Sequence, residues 1–203
     1  MSFSESPVQN ALRVFEEAGG TLRTSEALER GIHPRTLYRL RDGGQLEQLS
    51  RGLYRLAECP PTAHDDLITV AGRVPEAVIS LISALAFHDL TDEVPHEVYV
   101  ALPRGKRTPQ IDHPPLRVFH VRDPAYSTGV DVRRMHGIDV PIYDPAKTVA
   151  DAFKFRRQIG KSVALDALRR YLNRTDRDLP ALVEYAELCR VKRVMTPYME
   201  ALV

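Results

Sequence analysis

Near the start of the chain, Val8, Ala11, Leu12 and Phe15 recur at helical spacing. Ahead of them, Ser6-Pro7-Val8-Gln9 has the form of a capping box, with an N-cap serine, proline at the first helical position and glutamine at the third. Gly19-Gly20 ends that helix. Thr24 is expected to cap a short second helix carrying Ala27 and Leu28 and closed by Gly31. A third is expected from about His33-Pro34 to Asp42, where Gly43-Gly44 breaks it. Two short segments, Gln45 to Leu49 and Leu53 to Leu56, then alternate imperfectly around Ser50-Arg51-Gly52, whose glycine suits a tight hairpin. Helix, helix, helix, hairpin is the element order of a winged helix-turn-helix.

Cys59-Pro60-Pro61 marks a seam, because consecutive prolines stiffen a linker and join neither a helix nor a central strand. The expected division is a winged helix-turn-helix at 1–58 and a larger α/β domain at 61–203. In the second segment the pattern predicts a helix from about Thr62 to Arg73, a short strand Ala77 to Ile79 and a helix from Leu81 to about His88. Extended pieces follow at Glu97 to Leu102 and Leu116 to Val121, then a hairpin of Val130 to Met135 and Ile138 to Tyr143 around His136-Gly137. Asp144-Pro145 starts a helix with Val149, Ala152 and Phe153 on one face, ended by Gly160. Further helices carry Leu165, Leu168 and Leu172, then Leu182, Tyr185 and Leu188 behind an Asp178 cap, and Thr196-Pro197 is expected to start a short terminal one. The fold class is therefore α+β, a winged helix-turn-helix followed by a mixed α/β domain with helices packed on a small sheet.

Composition narrows the function classes. Basic and acidic residues number 28 and 27, so the formal net charge is +1, and affinity for nucleic acid has to come from local clustering. No apolar run reaches the roughly 18 residues of a membrane span, and MSFSESPVQN lacks a signal-peptide pattern. Two isolated cysteines, Cys59 and Cys189, exclude a disulfide scaffold or a cysteine zinc site and agree with a cytoplasmic location.

The clustering occurs in the third helix. In His33-Pro34-Arg35-Thr36-Leu37-Tyr38-Arg39-Leu40-Arg41-Asp42, Leu37 and Leu40 can face the helices behind, which turns Arg35, Thr36, Arg39 and, at the edge, Tyr38 outward. Arginine can grip guanine O6 and N7 bidentately, and threonine can touch a thymine methyl or a phosphate. Those four residues are candidates to read or position bases, and Arg41, Ser50, Arg51 and Arg55 to hold the backbone. Five arginines between His33 and Arg55 stand against only Asp42 and Glu47. The plainer alternative is a three-helix core serving protein contacts, with its arginines solvated. Arg104, Lys106 and Arg107, on a proline-framed loop, form a second basic cluster that could bind phosphate or an acidic surface, or be an exposed turn.

Catalytic signals are poor. Phosphate-loop, nucleophile-elbow and H-E-x-x-H patterns are all absent. His64-Asp65-Asp66 reads as a helix first turn whose acids complement the dipole, and His88-Asp89 and His113 have no ligand-spaced partner. Asp144 and Lys147 are a carboxylate and a lysine three apart, but the lysine falls in a helix rather than in an acid-x-lysine strand as a nuclease would need. No catalytic residue, metal or cofactor is expected.

The initial helices followed by Gly44-Gln45-Leu46-Glu47-Gln48-Leu49-Ser50-Arg51-Gly52-Leu53-Tyr54-Arg55-Leu56 resemble the winged helix-turn-helix of AbiEi-type antitoxins. These are the antitoxin halves of abortive-infection (type IV) toxin–antitoxin systems. The resemblance continues through Ile79 to Leu90, Pro95 to Leu102 and Tyr143 to Asp151. Lys147 departs from it, standing where arginine is more usual; the charge is kept and the bidentate fork lost. What the resemblance implies is a repressor binding inverted repeats of double-stranded DNA in its own promoter, with the DNA-contacting helix at Pro34 to Asp42 and the wing at Leu46 to Leu56. It further implies that the second domain helps neutralise a cognate nucleotidyltransferase-like toxin, with or without a direct complex, and it supplies no catalytic residues. Two alternatives share the first domain: a stand-alone winged-helix transcription factor with a ligand- or protein-binding second domain, and a nuclease with a DNA-binding arm.

Overall fold

The computed structural model of the chain describes residues 6–202. The chain folds into two compact units. One comprises Met1–Pro75 with Gln110–Pro114 and Arg133–Val140; the other comprises Glu76–Pro109, Pro115–Val132 and Pro141–Val203.

In the first unit, α1 (Pro7–Glu17) begins with the anticipated capping box: the Gln9 amide donates to Ser6 Oγ, and the Ser6 amide to Gln9 Oε1, both at 3.2 Å. A strand that the sequence pattern did not reveal, β1 (Thr21–Arg23), precedes α2 (Thr24–Glu29). Thr24 is the first helical residue rather than the cap, because the Glu26 carboxylate reaches back to the Arg23 amide at 2.8 Å and sets the boundary one residue earlier. In α3 (Pro34–Asp42) the N-cap is His33, whose Nδ1 accepts from the Arg35 amide. The helix ends in a Schellman turn: Gln45 N–H donates to Leu40 C=O at 2.9 Å, which requires φ +71° at Gly44. Strands β2 (Leu46–Ser50) and β3 (Leu53–Leu56) pair antiparallel, and β1 joins the other edge of β3, giving the order β1-β3-β2. Ala11, Phe15, Ala27, Leu37, Leu40, Leu46 and Tyr54 close one apolar core. Helix α4 (Asp65–Arg73) belongs to this unit, so the boundary between units does not fall at the Cys59-Pro60-Pro61 seam. Its Gly72 lies so near Leu53 that a Cβ there would come within 2.7 Å of Leu53 Cδ2.

The second unit contains β4 (Val78–Ile79), α5 (Leu81–Phe87), β5 (Val98–Pro103) and β6 (Leu116–Val121). The hairpin β7 (Val130–Met135) and β8 (Ile138–Tyr143) follows, with its tip grouped in the first unit. The sheet order is β6-β5-β4-β8-β7, with β4–β8 and β5–β6 parallel and β4–β5 antiparallel. Helices α6 (Pro145–Lys154), α7 (Arg156–Ile159), α8 (Lys161–Leu172), α9 (Leu179–Leu188) and α10 (Lys192–Leu202) complete it. Asp144 and Asp178 cap α6 and α9, accepting from Lys147 and Ala181 amides at 2.8 and 2.9 Å. The terminal helix starts at Lys192 rather than at Thr196-Pro197, and Pro197 lies inside it. Burial of Val191 and Met195, with Tyr198 and Met199 packed on the same core, draws the helix back through a proline that offers no N–H.

Candidate nucleic-acid interface

Helix α3 is locked from behind by Leu37 and Leu40, both fully buried. Its opposite side exposes His33, Arg35, Tyr38 and Arg39. Arg35 and Arg39 form no ion pair among the described residues, so both guanidinium groups are available. Arg41 is half-buried; it pairs with Asp42 at 2.8 Å and lies 5.1 Å from the Tyr38 ring centroid. The Asp42 hydrogen bond raises the Arg41 pKa, so its charge is fixed. Tyr38 is 45% exposed, an aromatic platform between arginines.

Two expected contacts are corrected. Thr36 is buried beside Leu37 and Leu40, so its hydroxyl does not lie on the exposed side of α3. Arg55 is only 3% exposed and lies between Glu47 Oε2 and Asp65 Oδ2, each at 2.8 Å. With β1 on one edge and β2 on the other, β3 is the central strand of its sheet, and all four of its residues are buried. An arginine there is spent on internal carboxylates and does not reach a phosphate.

Arg51 at the hairpin tip is exposed, and Ser50 beside it is half-buried. The tip is held by a residue that the sequence pattern did not flag: Arg73, at the end of α4, donates from Nη1 to the Arg51 carbonyl. Arg23 makes a second clamp, donating from Nε to Gly72 C=O at 2.5 Å and from Nη2 to Ala71 C=O at 3.1 Å. Arg30, exposed at the end of α2, adds a cation three residues before the α3 cap. The basic surface of this unit is thus Arg30, Arg35, Arg39, Arg41 and Arg51 around an exposed tyrosine.

In the second unit, Arg104, Lys106 and Arg107 are exposed, and Lys106 pairs with Glu76 at 3.3 Å. Lys147 is completely buried, its Nζ 2.5 Å from Asp151 Oδ2 and 4.0 Å from the Tyr143 ring centroid. Cys189 Sγ donates to Asp151 Oδ1 at 3.1 Å. Burial pushes the Cys189 thiol up to about 12, and the Asp151 charge acts in the same direction. Lys147 therefore serves an internal polar cluster. His88 is buried, with Nε2 2.8 Å from the Tyr143 carbonyl oxygen, and His113 lies 3.7 Å from Asp66. Asp65 and Asp66 occupy the first turn of α4, and Asp65 is taken by Arg55. No group of three or more His, Cys, Asp or Glu side chains able to hold a metal occurs among the described residues. Among them, too, no helix is long and apolar enough to cross a membrane.

Three helices, a three-stranded antiparallel sheet and an arginine-rich exposed third helix define a helix-turn-helix domain of winged type. Residues 10–57, the part of the chain that builds it, match the family described as "Transcriptional regulator, AbiEi antitoxin". The match stops at 57, so segments 79–90 and 143–151 lie outside it. No curated protein matches the chain. Among solved structures, the RV2827C protein from Mycobacterium tuberculosis is similar in fold, with 16% identity and a TM-score of 0.58, over 87% of this chain and 71% of that one.

Proposed function

We propose that the chain is a DNA-binding transcriptional regulator that acts as the antitoxin of a two-gene system. Its α3 enters the major groove with Arg35, Tyr38 and Arg39 toward the base edges, while Arg41 and Arg51 contact phosphates. The observation that carries this is the division of α3: Leu37 and Leu40 are buried, and two arginines without an ion pair flank an exposed tyrosine. The AbiEi match over 10–57 supports the same reading. Regulation is of its own promoter, through inverted repeats, and the larger unit counteracts a nucleotidyltransferase-like toxin.

The test is a mobility-shift titration on DNA upstream of the gene, joined to a growth assay with the neighbouring toxin gene induced. The full chain carrying both Arg35→Ala and Arg39→Ala is expected to lose the shift and still restore growth. A retained shift refutes the recognition helix; a shift abolished together with unrestored growth refutes a separate antitoxin surface.

A regulator without antitoxin duty, answering to a small ligand, is favoured by one feature: a cavity of about 250 Å³ between α9 and α10, walled by Val183, Ala186, Met195 and Met199. Growth unaffected by the chain under toxin induction, with promoter binding altered by an apolar small molecule, would support it instead.

A further inference from the structure

Strand β7 ends the five-stranded sheet, and its sequence is complementary to itself. His136 and Gly137, with φ of 45° and 85°, form a two-residue hairpin turn that sets Met135 opposite Ile138. Both ends of the hairpin agree with that register. Arg134 Nη1 lies 2.8 Å from Asp139 Oδ1, and the Asp144 amide donates to the Gly129 carbonyl at 2.8 Å. Asp131, Arg133 and Met135 therefore direct their backbone groups to β8. Pro141, which has no N–H, falls opposite Val132 at a position without ladder bonds. The amides and carbonyls of Val130, Val132 and Arg134 point the other way, to the open edge. Val132, in the middle of this edge, is 60% exposed.

We propose that β7 is a dimerisation strand, pairing antiparallel with β7 of a second copy of this chain about a twofold axis at Val132. Only residues with outward backbone groups can form hydrogen-bonded pairs across the edge. Val132 therefore meets Val132 of the partner subunit, and Val130 meets Arg134 of the partner subunit, for about six backbone hydrogen bonds. A slip by one residue would oppose Val132 to Arg133, whose backbone groups already serve β8. In the allowed register the closely spaced, non-bonded positions set Asp131 against Arg133 of the partner subunit, twice over. Edge strands in monomeric proteins carry charges that repel a copy of themselves; these charges attract one. Asp131 also lies near Asp144, whose carboxyl is pushed up first by burial and further by that neighbouring charge, so an arriving guanidinium meets an acidic pair.

Sedimentation equilibrium on the intact chain tests this, against a monomer mass of 22.9 kDa. The expected result is a dimer that dissociates on dilution. Asp131→Arg and Arg133→Asp should each weaken it by about tenfold or more, since each sets like charges opposite one another. Mixed together, the two variants should form a one-to-one heterodimer, because each reversed charge then meets its opposite. Val132→Pro removes an outward amide while sparing the β8 ladder, so it should give a monomer with unchanged circular dichroism. A monomer mass at concentrations of about 100 μM overturns the proposal, as does a dimer indifferent to the charge reversals or a mixture that fails to pair.

Discussion

Arg55 Nη1 on β3 stands 2.8 Å from Asp65 Oδ2 at the head of α4, with Glu47 Oε2 2.8 Å from Nη2 on the other side. An arginine that reads in the sequence as a phosphate anchor is thereby turned inward, where it ties the wing sheet to α4. DNA affinity then falls to fewer cations, and the rigidity of the wing to more.

Acid should loosen this tie. Burial opposes ionisation of Asp65, but hydrogen bonds from Arg55 and Thr62 outweigh it and hold the carboxyl below its ordinary range. A depressed folded pKa gives stability that is present above the unfolded value of about 3.9 and lost as pH falls through the folded one. Thermal melts of the chain should therefore drop steeply below about pH 4. Asp65→Asn should cost about 1.5–3 kcal/mol at neutral pH and flatten the acid limb of the curve. An Asp65→Asn protein with an unaltered acid limb would show that the tie contributes nothing.

Gly137 at the β7–β8 turn has no room for a side chain. A Cβ there would lie 2.2 Å from Ala18 C=O, and φ is +85°. Gly44, at φ +71°, has nothing within 4 Å of its hypothetical Cβ. Gly44→Ala should therefore cost only the left-handed backbone strain, about 1–2 kcal/mol. Gly137→Ala adds a backbone collision and should cost clearly more, read as the difference between the two melting temperatures.

Thiol labelling should separate the two cysteines. Cys189 is buried against Asp151, and its thiol is pushed up to about 12, so it presents almost no thiolate at neutral pH. Cys59 is half-buried. In the native protein the reagent should modify Cys59 and leave Cys189 until unfolding exposes it. Lys147→Met, which strands the Asp151 carboxylate in the interior, should cost about 3–5 kcal/mol and bring Cys189 labelling forward.

Much of the fold was legible because local signals agreed with one another. Proline and acidic caps placed α1, α3, α6 and α9, and alternation placed β6, β7 and β8 at their observed bounds. The misses arose from partners distant in sequence. Thr21–Arg23 is too short to show a period, yet its pairing makes β3 central and buries Arg55. The Glu47–Arg55 pairing could have been found, since a hairpin around Ser50-Arg51-Gly52 sets these residues opposite each other. Asp65 and Arg73 could not, because nothing local ties α4 to the wing. On α3 the leucine spacing fixed the outward position of Arg35 and Arg39, whereas Thr36 lies at the margin of the buried stripe and fell inside it.

The central claim, that α3 reads DNA while the wing tip holds its backbone, is tested most directly by equilibrium anisotropy on a promoter duplex and a scrambled duplex across a salt series. Arg39→Ala should weaken the promoter duplex by about 1–3 kcal/mol, leave the scrambled one nearly unchanged and relax selectivity at one base pair. Arg51→Ala should weaken both alike and reduce the salt slope by about one. Promoter binding by Arg39→Ala equal to that of the unmodified chain would contradict the account.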